Sequence, residues 1–128
     1  MAKTVQLEAE PVPPLALREE SVRRAIGNLV ENAFRHGAGP VVLRTGHDAA
    51  CAWIEVADAG PGIAPAEFEA MKRPFRRAEA ARGGSAGAGL GLAIAERAAR
   101  AHGGRLELMA ALPHGLRARL VLPFAAVA

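Results

Sequence analysis

Tyrosine is absent, tryptophan and cysteine occur once each, and aromatic side chains make up only 4% of the chain. With so few rings, the stacking platforms that single-stranded nucleic acids require are hard to build. The single cysteine, Cys51, excludes an internal disulfide framework and any multi-cysteine metal site, and a reducing compartment is its simplest setting. Lying in an apolar strand pattern, Cys51 is expected as a small buried hydrophobe. Long apolar runs are also missing: a stretch such as Leu120 to Ala128 is far shorter than the roughly 18 residues of a membrane span. Met1-Ala-Lys-Thr leads into no signal-like segment. These absences predict a soluble cytoplasmic domain, free-standing or a piece of a longer membrane protein.

The net charge of +3 is small and its makeup is biased, since Lys3 and Lys72 are the only lysines among 16 basic residues. That arginine preference, beside abundant alanine, is what a GC-rich genome produces, and the charges read as a solvated surface. No nucleic-acid partner is expected.

What is present is enough apolar material, 51% of 128 residues, for one ordinary core. A single domain over residues 1–128 follows. Thr4 to Glu8 alternates as a short strand, and Pro11-Val-Pro-Pro separates it from a helix predicted up to Gly37. Glu19, Glu20 and Ser21 are expected to supply acids and a cap at the helix start. Pro40 to Thr45 and Cys51 to Ala57 read as strands joined at Gly46-His47-Asp48, and Ala64 to Met71 as a short helix. Lys72 to Gly89 is polar, basic and glycine-rich with no apolar period, the pattern of a mobile loop. Leu90 to His102 is predicted helical, and two strands, Arg105 to Leu112 and Leu116 to Leu122, flank a Pro113-His-Gly115 turn. Several strands are joined by turns too short for a parallel crossover, so the expected fold is α/β, a mixed sheet with helices layered on one face.

Three stretches carry chemistry. In "IGNLVENAFRHG" two asparagines, Asn28 and Asn32, sit one turn apart on a common helix face, although asparagine is a mediocre helix former. In "DAGPGI" a carboxylate, Asp58, ends an apolar strand and is followed by Gly60 and Gly62, which let backbone approach a flat ligand while the acid accepts from an exocyclic amine. An ordinary turn after a strand would read the same. "GAGLGLAI" is a glycine-rich loop opening a helix, an arrangement that offers backbone N–H groups to phosphate. It has neither Rossmann nor P-loop spacing, and a flexible linker is the alternative.

In this order and at these intervals, the three stretches with the basic loop between them resemble the N, G1, F and G2 boxes of the GHKL ATPase superfamily. More narrowly, residues from about 15 to 122 resemble the catalytic and ATP-binding domain of bacterial sensor histidine kinases, in the EnvZ-like osmosensor branch. The resemblance implies a two-layer α/β sandwich of the Bergerat type with a mainly antiparallel mixed sheet. It also implies ATP and Mg²⁺ as ligands. Asn32, before Ala33, would coordinate Mg²⁺ through its side-chain oxygen, which suits a hard ion that keeps several waters and arrives with its substrate. Asn28 would line the same phosphate site.

The resemblance further implies that Asp58 accepts from the adenine amine, with Gly60, Gly62 and Ile63 at the adenine floor. Arg35 matches a basic residue aimed at phosphates. His36 replaces a commoner tyrosine. Phe75 fits the F-box phenylalanine, while Arg77 and Arg82 stand where the family places lid cations. Gly87, Gly89 and Gly91 fit the G2 glycines, with Leu90 and Leu92 beside them, and Ala88 replaces a usual hydroxyl residue. Asn28, Asn32, Arg35 and Arg77 are the expected catalytic set. Hydrolytic relatives and serine kinases carry a glutamate general base where this chain has Asn28, so transfer of the phosphoryl group to a better nucleophile than water is implied. Its acceptor would be a histidine on a separate dimerisation domain, with a response regulator reached only indirectly, and this chain alone would be monomeric. His47-Asp48, in a strand connection, is not expected to be that acceptor. Two rival readings are a GHKL hydrolase or serine kinase, and a degenerate module that binds a protein and no nucleotide.

Overall fold

The order of elements is a strand β1 (Val5–Glu8), helix α1 (Glu19–His36), strands β2 (Val41–His47) and β3 (Cys51–Ala57), a 3-10 turn (Pro65–Glu67) running into α2 (Phe68–Met71), helix α3 (Gly91–Ala101), and strands β4 (Arg105–Ala110) and β5 (Leu116–Pro123). The computed structural model describes residues 4–73 and 91–124. The positions predicted at Phe75, Arg77, Arg82, Gly87, Ala88, Gly89 and Leu90 lie outside the described residues.

The strands form one sheet in the order β1-β2-β3-β5-β4. β1 and β2 run parallel, and the other three pairings are antiparallel. Alternation decides which face is covered: Val41, Val56, Ala118, Leu106, Leu108, Leu120 and Leu122 are buried and belong to the core that α1 and α3 complete. α1 contributes Val22, Ala25, Leu29 and Ala33, and α3 contributes Leu92, Ala95, Ala98 and Ala99. The helical spacing of these positions makes one apolar stripe per helix. Each buried leucine or valine contributes about 1.5–3 kcal/mol. The alanines among them let the two helices lie close together. This is the two-layer, mainly antiparallel sandwich expected. No helix among the described residues is long and apolar enough to cross a membrane.

The opposite face of the sheet carries a row of alternating charge. Glu8 lies beside Arg44, Arg44 beside Glu55, Glu55 beside Arg119 and Arg119 beside Glu107, one residue from each of the five strands. Glu55, at the middle of this row, is fully buried. It accepts from Arg117 Nη2 at 2.9 Å and from Arg119 Nη2 at 2.8 Å, with Arg44 at 3.4 Å. Arg119 also lies over the Trp53 ring, 4.1 Å from its centroid, a cation–π contact. Burial alone would raise the Glu55 carboxyl, but the hydrogen bonds and charges of Arg117 and Arg119 outweigh it and hold the group below its ordinary value.

Three local expectations are corrected. Ser21 does not cap α1; the cap position is Arg18 and makes no side-chain cap bond. Its backbone N–H instead donates to His102 Nε2 at 2.9 Å, while His102 Nδ1 meets Ala98 O at 2.8 Å. His102 therefore ties the end of α3 to the start of α1. The β2–β3 turn falls at Asp48-Ala49-Ala50, not at Gly46-His47-Asp48. Gly46 stays in the strand because its bare Cα leaves room for the Trp53 ring, and Asp48 Oδ1 closes the turn by accepting from Ala50 and Cys51 N–H at 2.8 Å each. Cys51 is half-buried, not in the core, because its place in the alternation of β3 puts it on the open face.

Candidate functional site

Asp58 follows the last residue of β3 and continues its pairing by donating its N–H to Leu116 O at 3.0 Å. The residue is packed on three sides. Gly60 N–H donates to Asp58 Oδ1 at 2.8 Å, Gly37 at the end of α1 lies against the side chain, and Gly115 of the β4–β5 turn lies against the Asp58 backbone carbonyl. A Cβ on Gly37 or Gly115 would overlap these atoms, and a Cβ on Gly60 would stand 2.6 Å from Gly37 Cα. Ala59 N–H, donating to Ala38 O at 2.9 Å, stitches the loop to the end of α1. With 9% of its surface exposed, Asp58 has its carboxyl pushed above the ordinary value by burial, an effect that backbone hydrogen bonds from Gly60 and Leu116 only partly offset.

Gly62 adopts a φ of +76°, a left-handed conformation that favours glycine,. A side chain there would also run into the turn, its Cβ 2.8 Å from Gly115 O. Ile63, next in the chain, is half-buried and packs against the core. The floor expected from Asp58, Gly60, Gly62 and Ile63 is thus one continuous loop braced by the β4–β5 turn.

The second cluster is higher on α1. Asn28 Nδ2 donates to Arg24 O at 2.9 Å, which orients the amide. A Cβ on Gly91, the first residue of α3, would lie 3.4 Å from Asn28 O and 3.9 Å from Asn28 Oδ1. Asn32 is half-buried, and its side-chain amide makes no hydrogen bond among the described residues. Arg35 reaches Glu31 at 3.3 Å, and His36 ends the helix half-buried. Leu92 is 3% exposed and lies in the core cluster, so it supports the site from below Gly91.

From Asn28 to Gly37 is nine residues, about 13 Å along a helix. α1 therefore joins two chemistries on one rail: an amide pair beside the start of α3, and a buried carboxylate packed among glycines at its end. Among the described residues no group of three His, Cys, Asp or Glu side chains is placed to hold a metal. A shallow groove of about 580 Å³, lined by Pro13, His47, Asp48, Ala49 and Phe124, lies at the other end of β3 and contains none of the expected site residues.

Three site neighbours escape a reading by pattern. Gly37 reads as a helix stop, and His114 and Gly115 as turn residues. Their convergence on Asp58 and Gly60 is made by pairings between strands distant in sequence, and no local signal announces it. His114 Nδ1 lies 3.1 Å from Gly60 O.

Comparison with known proteins gives a consistent result. The family model described as histidine kinase-, DNA gyrase B-, and HSP90-like ATPase matches residues 18–126. The sensor histidine kinase CpxA of Escherichia coli K12 is 35% identical over 125 residues, 96% of this chain and 27% of CpxA. Among solved structures, the histidine kinase domain of the E. coli osmosensor EnvZ is 36% identical with a TM-score of 0.69, covering 97% of this chain and 77% of that one. Full-length ShkA, in complex with AMPPNP, is 29% identical with a TM-score of 0.78, covering 97% of this chain and 26% of that one. The chain spans about a quarter of the length of the curated relatives it matches.

Proposed function

Because the chain belongs to the family of histidine kinase-, DNA gyrase B- and HSP90-like ATPases, we propose that it is the Mg-ATP-binding catalytic domain of a two-component sensor histidine kinase. The observation that carries this reading is α1 itself, which sets the amide of Asn32, without a hydrogen-bond partner among the described residues, on the same helix as the Gly37 wall of the Asp58 cleft. Adenine fits the cleft end, where a buried carboxylate between glycines can accept from an exocyclic amine. The triphosphate then runs along α1 toward Asn28 and the N-terminus of α3, where the helix dipole and first-turn N–H groups favour anions.

The donor set suits Mg²⁺. An uncommitted neutral amide oxygen at Asn32, without an acidic cluster nearby among the described residues, fits an ion that brings phosphate and water ligands with it. When bound, the ion would offset charge on the triphosphate. Asn28 cannot act as a general base for water, so ATP is held for a stronger nucleophile. The γ-phosphoryl group passes from the β–γ bridging oxygen to an imidazole nitrogen of a histidine on a separate dimerisation domain, and ADP leaves. Arg35, and Arg77 and Arg82 outside the described residues, supply cations for the phosphates. The same reading makes residues 1–128 one domain, monomeric in isolation, in a cytoplasmic setting, with a response regulator as the later acceptor and no nucleic-acid partner.

Calorimetric titration with AMP-PNP, with and without Mg²⁺, tests the reading. Magnesium-dependent binding that is lost in Asp58→Ala, and that loses its magnesium dependence in Asn32→Ala, is the expected result. Absence of binding in all conditions would overturn it.

A further inference from the structure

We propose that His114 is a positioning residue for the adenine floor and sets how sharply the site selects adenine over other bases; this rests on the nucleotide reading above. His114 lies 54 positions from Gly60 in sequence, yet its Nδ1 is 3.1 Å from Gly60 O. A carbonyl oxygen only accepts, so Nδ1 carries the proton and donates. The carbonyl it holds belongs to the Gly60–Pro61 peptide, which has no N–H of its own because the next residue is proline. That peptide therefore has a carbonyl to anchor and no donor with which to fix itself.

The preceding peptide is anchored differently, through Gly60 N–H to Asp58 Oδ1 at 2.8 Å. Asp58 and His114 thus hold successive peptides of the loop, one from inside the cleft and one from the β4–β5 turn. Glycines on both sides of Pro61 leave the loop free to rotate unless something holds it. The turn is already close: Gly115 abuts the Asp58 carbonyl, and a Cβ on Gly62 would be 2.8 Å from Gly115 O. His114 adds direction to that contact. Without it, the Gly60–Pro61 carbonyl can swing, changing the plane and polarity met by a base whose amine is read by Asp58.

Because His114 is exposed, its replacement removes the hydrogen bond without emptying the core. The affinity ratio of AMP-PNP to GMP-PNP isolates the base, since the two ligands share ribose and triphosphate. Titrations with Mg²⁺ present would compare the unaltered chain with His114→Ala and His114→Asn, alongside thermal melting. In His114→Ala the ratio is expected to fall about threefold to tenfold, the worth of one hydrogen bond, with the melting temperature lowered by no more than about 5 °C. His114→Asn should restore it, since the amide N–H can take the place of Nδ1–H. An unchanged ratio in His114→Ala, equal weakening of both nucleotides, or an asparagine variant as poor as alanine would overturn the proposal. If the unaltered chain bound neither nucleotide, the nucleotide reading itself would fail first.

Discussion

Gly37 and Asp58 compete for one space: a Cβ on Gly37 would overlap Asp58 Cγ and stand 2.6 Å from both Asp58 Cβ and Ala33 O. The helix can end against the carboxylate only because Gly37 has no side chain. Gly37→Ala must push Asp58 aside or unwind the last turn of α1. It is expected to weaken AMP-PNP binding by about tenfold or more, the loss of a charge-assisted hydrogen bond, and to cost about 1–3 kcal/mol of stability from overpacking. Titration and urea unfolding of the same variant measure the two effects.

Asp58 itself separates stability from function. Its native carboxyl titrates above the ordinary 3.8 because burial disfavours the charge, so the folded state holds its proton more tightly than the unfolded one. The cost of ionising it is fully present above the native value and vanishes as pH falls toward 3.8,. Asp58→Asn is expected to stabilise the fold at neutral pH and to lose that advantage near the unfolded value, while abolishing most nucleotide affinity. In the unaltered chain, AMP-PNP affinity should fall as pH drops through the raised Asp58 value, above the 3.8 of an ordinary aspartate. Melting and titration across pH read both; a variant less stable than the parent at pH 7 would contradict the account.

Much of this was legible in the sequence, and the reasons are physical. The core faces of α1 and α3 follow helical spacing, and β3 to β5 alternate, so element type and the helix-covered face could be read locally. The amide pair Asn28 and Asn32 stands out because asparagine is a mediocre helix former, whereas Asp58-Gly60-Gly62 reads as an ordinary turn until its order with the amide pair and the glycine-rich loop is taken into account. Other features are invisible in one dimension. Gly46 looks like a turn residue until Trp53 is seen to lie across it, and Glu55 looks like an exposed strand position until Arg117 and Arg119 close over it. The bracing of Gly60 by His114 depends on the register of β5 against β3.

The buried glutamate gives a prediction independent of the nucleotide site. Arg117 and Arg119 hold Glu55 below its ordinary 4.5, so the stability it contributes is present above that value and lost as pH falls through the lowered native one. Glu55→Gln is expected to cost about 2–3 kcal/mol, toward the low end for a broken buried pair because both arginines keep some solvent contact. Urea unfolding at pH 7 measures the loss, and the gap between the two proteins should narrow on acidification below 4.5. AMP-PNP affinity should be unchanged, since the row of charge lies on the sheet face away from α1.

Gly91 separates a glycine needed for packing from one needed for approach. A Cβ there would meet Asn28 O at 3.4 Å and Asn28 Oδ1 at 3.9 Å, ordinary contact that displaces nothing. Alanine is the better helix former by up to about 1 kcal/mol in a helix interior and by less in a first turn. Gly91→Ala is therefore expected to leave the fold as stable as the parent or slightly more so. If the start of α3 receives the terminal phosphates beside Asn28, the added methyl obstructs them, and AMP-PNP affinity should fall about threefold to tenfold, the worth of a hydrogen bond or two. AMP, which lacks those phosphates, should bind both proteins alike. Equal weakening of AMP and AMP-PNP would move the effect of Gly91 to the base end of the cleft, and no weakening of either would remove Gly91 from the phosphate site.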